Sequence, residues 1–184
     1  MNRQVHVLEI GAVRRELPLF EVKPGLSIAV LNILGDVELV ETAAEALAPR
    51  LEPLGPTALI TPEAKSIPLV HALAARLALP YVVLRKSYKS YMGDALSIST
   101  HSITTGTQQS LYLDEKDRGL IEKAPVALID DVVSTGSTLK AMQSLMQRAE
   151  AKIVAEAAIC TEGKVEDWPD VIALGHLPLF TQTS

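Results

Sequence analysis

Val126-Ala127-Leu128-Ile129-Asp130-Asp131-Val132-Val133-Ser134-Thr135-Gly136-Ser137-Thr138, continued by Leu139-Lys140-Ala141-Met142, decides how the rest of the chain is read. Four apolar residues run into two adjacent carboxylates. A short loop of hydroxyl residues around one glycine follows, and then apolar residues at Leu139, Met142, Leu145 and Met146 recur at helical spacing. The pattern predicts strand, loop and helix. Small residues at a helix N-terminus leave backbone N–H groups free, add the positive end of the helix dipole and supply hydroxyl donors, which together suit an anion such as phosphate. Two neighbouring acids at a strand end repel each other and raise each other's pKa, so they need a partner. Ribose hydroxyls or a divalent cation would supply one. The stretch is neither G-x-x-x-x-G-K-[ST] nor G-x-G-x-x-G. An ordinary strand-to-helix connection, with Asp131 near the helix start and Ser137 as N-cap, would explain neither the double acid nor the hydroxyl cluster.

The chain has 184 residues, which predicts one domain able to bury its core without metal or disulfide staples. Its formal net charge of -5 disfavours non-specific nucleic-acid binding, so any phosphate site must be locally positive. The single cysteine, Cys160, has no internal disulfide partner and sits among apolar neighbours as a small buried hydrophobe. No apolar run approaches the roughly 20 residues of a membrane span, and the first residues lack a signal-peptide pattern. A soluble, cytoplasmic protein with no membrane partner is the expectation. Histidines 6, 71, 101 and 176 form no metal-ligand spacing and are read as structural. The absence of G-x-S-x-G disfavours a serine hydrolase.

Short apolar runs at Val5 to Ile10, Leu17 to Val22 and Ser27 to Ile33 predict strands, with Pro24-Gly25 as a turn. Gly35-Asp36 opens a helix with Val40, Ala44, Leu47 and Leu51 on one face, ended by Pro53 and Gly55-Pro56. Thr57 to Ile60, Ile67 to Leu77 and Tyr81 to Leu84 then alternate strand, helix, strand. That alternation predicts an α/β fold with a mostly parallel open sheet flanked by helices. Residues 86 to 97 are mostly polar and interrupt it. Ile98 to Thr105 and Gln108 to Leu113 predict an inserted β-hairpin around Gly106, either a mobile arm over a site or a plain surface hairpin. Asp114 to Lys123 reads as a helical connector, Lys152 to Ile159 as a strand, and Val171 to Ala173 and Leu177 to Phe180 as shorter ones.

In an open α/β sheet the loops at strand carboxyl ends converge, so Thr61-Pro62-Glu63-Ala64-Lys65-Ser66 should face Ser134 to Thr138. Arg85-Lys86-Ser87-Tyr88-Lys89 ends the next strand with three cations aimed at the same crevice. Taken together, the double-acid loop, Glu63-Ala64-Lys65, Arg85-Lys86 and the hairpin cover about residues 57 to 162. They resemble the type I phosphoribosyltransferases, above all the adenine and xanthine-type purine enzymes.

The resemblance implies a type I phosphoribosyltransferase-like fold. In it a small hood is built from residues of about 1–35 and 165–184, and a flexible arm from about 86–113. It implies transfer of phosphoribose from phosphoribosyl pyrophosphate (PRPP) to N9 of a purine, adenine first, in purine salvage, with Mg2+ as cofactor and a homodimer as the assembly. By the same resemblance Asp130, Asp131, Lys65 and Arg85 are catalytic. PRPP is held by Glu63, Ala64, Lys65, Arg85, Lys86, Lys89, Asp130, Asp131, Val133, Ser134, Thr135, Gly136, Ser137 and Thr138, and Mg2+ is held through PRPP and by Asp130 and Asp131. The base is assigned to Leu19, Phe20 and Glu162. Adenine enzymes commonly carry Ser-Leu-Glu-Tyr-Gly in the arm where this chain has Ser102-Ile103-Thr104-Thr105-Gly106, and a threonine cannot do the glutamate's acid-base work. Ser134 replaces the aspartate of hypoxanthine-guanine enzymes. The alternatives are therefore a xanthine/guanine-type enzyme and a PRPP-sensing regulator with little or no catalysis.

Overall fold

The computed structural model describes residues 4–101 and 108–181. In chain order the elements are β1 (Val5–Ile10), β2 (Val13–Lys23), β3 (Leu26–Ala29), α1 (Val37–Leu51), β4 (Ala58–Pro62), α2 (Ile67–Leu77), β5 (Tyr81–Leu84), β6 (Leu96–His101), β7 (Gln108–Leu113), α3 (Glu115–Ile121), β8 (Pro125–Val133), α4 (Ser137–Arg148), β9 (Lys152–Glu162), β10 (Ile172–Leu177) and β11 (Phe180–Thr181). The opening stretch is β8, the middle strand of a five-stranded sheet of order β10-β9-β8-β4-β5. Every pair in that sheet is parallel.

Alternate residues of the central strands feed two cores, which is why these strands read as continuous apolar runs. Leu59, Ala127, Ile129, Ala157 and Ile159 pack on one face with Leu39, Leu47, Leu69 and Leu73 of α1 and α2. Ile60, Leu84, Val126, Leu128 and Ala158 pack on the other with Leu139, Met142, Leu145 and Met146 of α4 and with Leu111 and Leu113 of β7. The hairpin is thus anchored at its base. Arg85 and Tyr112 exchange backbone hydrogen bonds of 2.9 and 2.8 Å that tie it to the end of β5. The apex, including Thr104, lies outside the described residues.

A second, antiparallel sheet of order β1-β2-β3-β11 gathers the N-terminal strands with a C-terminal one. Two features join it to the main body. Arg15 of β2 reaches Asp36, the N-cap of α1, with its Nε 2.7 Å and Nη2 2.8 Å from the carboxylate oxygens. At Gly175 of β10 a Cβ would meet Leu8 Cδ1 at 3.1 Å and Ile10 Cδ1 at 3.3 Å, so β1 packs closely on the parallel sheet there.

Gly175 also explains one departure from the sequence reading. The expected strands Val171 to Ala173 and Leu177 to Phe180 are Ile172–Leu177 and Phe180–Thr181 instead. The glycine marks a close approach rather than a break, and β10 belongs to the parallel sheet. Ser27 to Ile33 shortens to Leu26–Ala29, although Leu31 and Ile33 are buried beyond the strand end. No helix among the described residues is long and apolar enough to cross a membrane.

Candidate phosphate and sugar site

Successive elements of the parallel sheet diverge at β4 and β8: the chain leaves β4 for β5 on one side and β8 for β9 on the other. The loops after these two strands therefore border one crevice. Val133, the last residue of β8, is buried in the second core and fixes the strand end, and the backbone then turns through Gly136, at φ +71° the N-cap of α4. Asp130, Val132, Val133, Ser134, Thr135, Gly136, Ser137, Thr138 and Leu139 line a recess of about 70 Å3. The Thr135 and Ser137 hydroxyls lie 3.1 Å apart. Uncapped helix amides and clustered hydroxyls make this a small, anion-sized cradle.

At its rim, Asp130 and Asp131 are both buried. Asp130 Oδ1 accepts from the Asp131 amide at 2.9 Å and from Ser66 Oγ at 3.1 Å. Ser66 is the N-cap of α2 yet makes no side-chain cap bond, because its hydroxyl is turned to Asp130 instead. Lys65 Nζ stands 4.0 Å from Asp131 Oδ2. Burial first, and the adjacent Asp131 carboxylate second, push the Asp130 carboxyl well above its ordinary value. Such a pair calls for a cation or for hydroxyl donors.

The loop after β4 also faces the other way. Glu63 accepts the Lys86 amide at 2.9 Å, and Arg85 Nε lies 3.1 Å from Glu63 Oε2 as an ion pair without hydrogen-bond alignment. The Lys86 amide foremost, then Arg85, hold the Glu63 carboxyl below its ordinary range. Arg85 Nη1 donates to Tyr91 Oη at 3.3 Å. The Glu63–Ala64 peptide is cis. Ala64, Lys65, Lys86 and Lys89 are exposed. One four-residue loop thereby connects Arg85 and Lys86 through Glu63 to the two aspartates through Lys65 and Ser66.

The residues expected at the base are more scattered. Glu162, at the end of β9, is buried and accepts a hydrogen bond from Ser134 Oγ through Oε1. Leu19 is half-buried against the first core. Phe20 lies on a separate recess of about 350 Å3 with Arg15, Leu17, Val30, Leu31 and Asn32, whose lining shares no residue with the Gly136 cradle. His176 donates from Nε2 to Gly163 O at 3.0 Å and contacts Thr161 Oγ1 through Nδ1 at 2.9 Å, a structural role. Cys160 is buried, and that burial pushes its thiol up to about 12. The sequence places Ser66 in the converging loop and Tyr91 beside the cations, but it assigns Ser66 no partner and does not bring Trp168 into this region. For Ser66 the signal was present, a hydroxyl directly after Glu63-Ala64-Lys65.

No cluster of three or more His, Cys, Asp or Glu residues suited to a metal occurs among the described residues. A pair of buried carboxylates nevertheless fits Mg2+, which takes hard oxygen ligands and is commonly held by one or two carboxylates together with substrate oxygens.

A family profile described as phosphoribosyl transferase domain matches residues 34–173. A relative from Symbiobacterium thermophilum named adenine phosphoribosyltransferase is 31% identical over 139 residues, covering 74% of this chain and 78% of that one. Another, from Methanocaldococcus jannaschii and named hypoxanthine/guanine phosphoribosyltransferase, is 37% identical over 99 residues, 54% of this chain and 50% of the relative. The chain thus spans about half the length of that relative. Among solved structures, an adenine phosphoribosyltransferase from Thermoanaerobacter pseudethanolicus aligns with a TM-score of 0.66 at 20% identity. It covers 94% of this chain and 95% of that one, a likeness of fold.

Proposed function

The chain belongs to the phosphoribosyl transferase domain family, and from that premise we propose that it transfers phosphoribose from PRPP to N9 of a purine, adenine first. The observation that carries this reading is the buried Asp130–Asp131 pair at the rim of the Gly136 cradle, with Lys65 4.0 Å from Asp131. The cradle takes the 5'-phosphate on the α4 amides and on the hydroxyls of Thr135, Ser137 and Thr138, while the Ser134 hydroxyl, donated to Glu162, holds the loop. The carboxylates accept the ribose hydroxyls and orient the sugar. Lys65, with Arg85 and Lys86 behind Glu63, lies on the pyrophosphate side, and Lys89 extends the same cationic run. The bond from C1' to the pyrophosphate oxygen breaks, the bond from C1' to N9 forms, and the N9 proton leaves to solvent. C1' becomes oxocarbenium-like in between, so positioning and charge stabilisation account for the catalysis. Asp130 and Asp131 would hold Mg2+ alongside PRPP, and the ion would supply neutralisation of the leaving pyrophosphate.

Adenine is supported by the relative that covers most of both chains, and Glu162 adds an acceptor suited to an exocyclic amine. Transfer to a 6-oxopurine is the second reading, favoured by the hypoxanthine/guanine relative and by the engagement of Glu162 with Ser134. Exposed Tyr81, Tyr88 and Tyr91 near the cationic strand end suit a homodimer, which light scattering would measure. The test of function is incubation with PRPP, Mg2+ and each purine in turn, reading pyrophosphate and nucleotide. Adenosine monophosphate from adenine is expected. PRPP binding without turnover of any base would replace the enzyme with a PRPP-binding regulator. The double variant Asp130→Asn with Asp131→Asn should lose PRPP binding while keeping its circular dichroism spectrum, and unchanged affinity would remove the sugar-binding role.

A further inference from the structure

The structure assigns Trp168 as a positioning residue that clamps the phosphate loop from the β9–β10 connection. This inference rests on the reading of that loop as the 5'-phosphate cradle. Trp168 is the only tryptophan of the chain, set in the charged segment Glu166-Asp167-Trp168-Pro169-Asp170. Neither the double-acid motif nor the proposed chemistry uses it. Its ring lies directly on Gly136: a Cβ at that glycine would stand 2.5 Å from Trp168 Cη2 and 2.9 Å from Cζ3. A bulky aromatic thus covers the αL residue that turns β8 into α4.

The ring is itself anchored. Trp168 Nε1 donates to the Glu162 carbonyl at 3.1 Å, while the side chain of the same Glu162 accepts from Ser134 Oγ. The loop is therefore gripped twice from one short segment, at Ser134 by a carboxylate and at Gly136 by an indole. Trp168 also borders a recess of about 160 Å3 with Leu139 and Lys140 of α4 on the side of the helix start. Amides that must all point at one anion bind it best when the backbone carrying them is already fixed, because the ordering cost is then met before binding. The role assigned to Trp168 requires no contact with PRPP or with the base. It acts by fixing the turn at Gly136.

The test compares wild type, Trp168→Ala and Trp168→Phe, each checked for folding by thermal melting. Ribose 5-phosphate and PRPP binding are read by calorimetry, PRPP kinetics by turnover, and amide exchange at Ser134 to Ser137 in the unliganded proteins. Trp168→Ala is expected to weaken both ligands about tenfold and to raise KM for PRPP by more than it lowers kcat, with faster exchange across the loop. Trp168→Phe, which keeps an aromatic ring over Gly136, should recover most of the affinity. In wild type, ribose 5-phosphate should shift the indole emission. Unaltered exchange in a folded Trp168→Ala protein would overturn the clamp, as would wild-type affinity for ribose 5-phosphate in that variant. Accelerated exchange in Trp168→Ala with no wild-type binding of either ligand would uphold the clamp and overturn the reading of the loop as a phosphate cradle.

Discussion

At Asp130 the requirements of stability and of binding oppose each other. Burial and the adjacent Asp131 carboxylate raise this carboxyl above its ordinary value of 3.8, and the Asp131 amide and Ser66 hydroxyl offset that only in part. A carboxyl whose folded pKa exceeds its unfolded one favours the fold while protonated. That contribution is complete below the ordinary carboxylate range and is lost as pH rises through the raised value. Asp130→Asn keeps an oxygen for both donors and removes the buried charge. It is therefore expected to stabilise the unliganded protein by about 1–3 kcal/mol at about pH 8, with the gain shrinking as pH falls towards the ordinary carboxylate range. Melting curves against pH check this, and a pH-independent difference would contradict it. Under the proposed function ligand binding should show the opposite cost, because the ionised pair is what would accept ribose hydroxyls or a cation.

Among the elements, α1 shows how a cap also joins two sheets. Asp36 accepts the Leu39 amide at 3.1 Å and pairs with Arg15 from β2, and chiefly that Arg15 contact holds its carboxyl below the ordinary range. A lowered carboxyl stabilises the fold above the ordinary range and ceases to do so as pH falls through the lowered value. Asp36→Ala should cost about 1 kcal/mol at neutral pH through the lost cap, with the deficit fading in acid, read by denaturant unfolding. This cap was legible in advance, as were α2 and β5, since Ser66-Ile67-Pro68 and Pro80-Tyr81 punctuate an apolar period without competing signals. The convergence of the loops after β4, β5 and β8 was legible as well, from the alternation of strands and helices. What stayed hidden was the pairing of side chains within it and the arrival of the β9–β10 connection: no local period encodes Ser66 to Asp130, Glu63 to Arg85 or Trp168 to Gly136. The extent of β10 was hidden for a related reason: the apolar runs at Val171 to Ala173 and Leu177 to Phe180 read as separate short strands, whereas Gly175 lies inside β10 and admits Leu8 and Ile10 from another sheet.

Over the whole molecule, that same Gly175 separates what the two sheets do. The parallel sheet carries the Gly136 cradle and the aspartate pair, while the antiparallel sheet carries Leu19 and Phe20 and reaches the parallel one through Leu8 and Ile10. The two cores lie on opposite faces of the parallel sheet, with β1 and β2 joined to only one of them. A side chain placed at this junction should therefore disturb the antiparallel sheet and leave the cradle in order. Gly175→Val would overpack against Leu8, Ile10 and Cys160, at a cost of about 1–3 kcal/mol, or roughly 2–4 °C in melting temperature for each kcal/mol in a chain of this size. Because the hood is the expected contributor to the base site, KM for the purine should rise while the affinity for ribose 5-phosphate stays within about twofold of wild type. Steady-state kinetics with the purine varied, set beside calorimetry with ribose 5-phosphate, measure the two effects separately. Equal losses in both would mean that the junction transmits strain across β9 to the phosphate loop, and that the antiparallel sheet is part of what holds the cradle in shape.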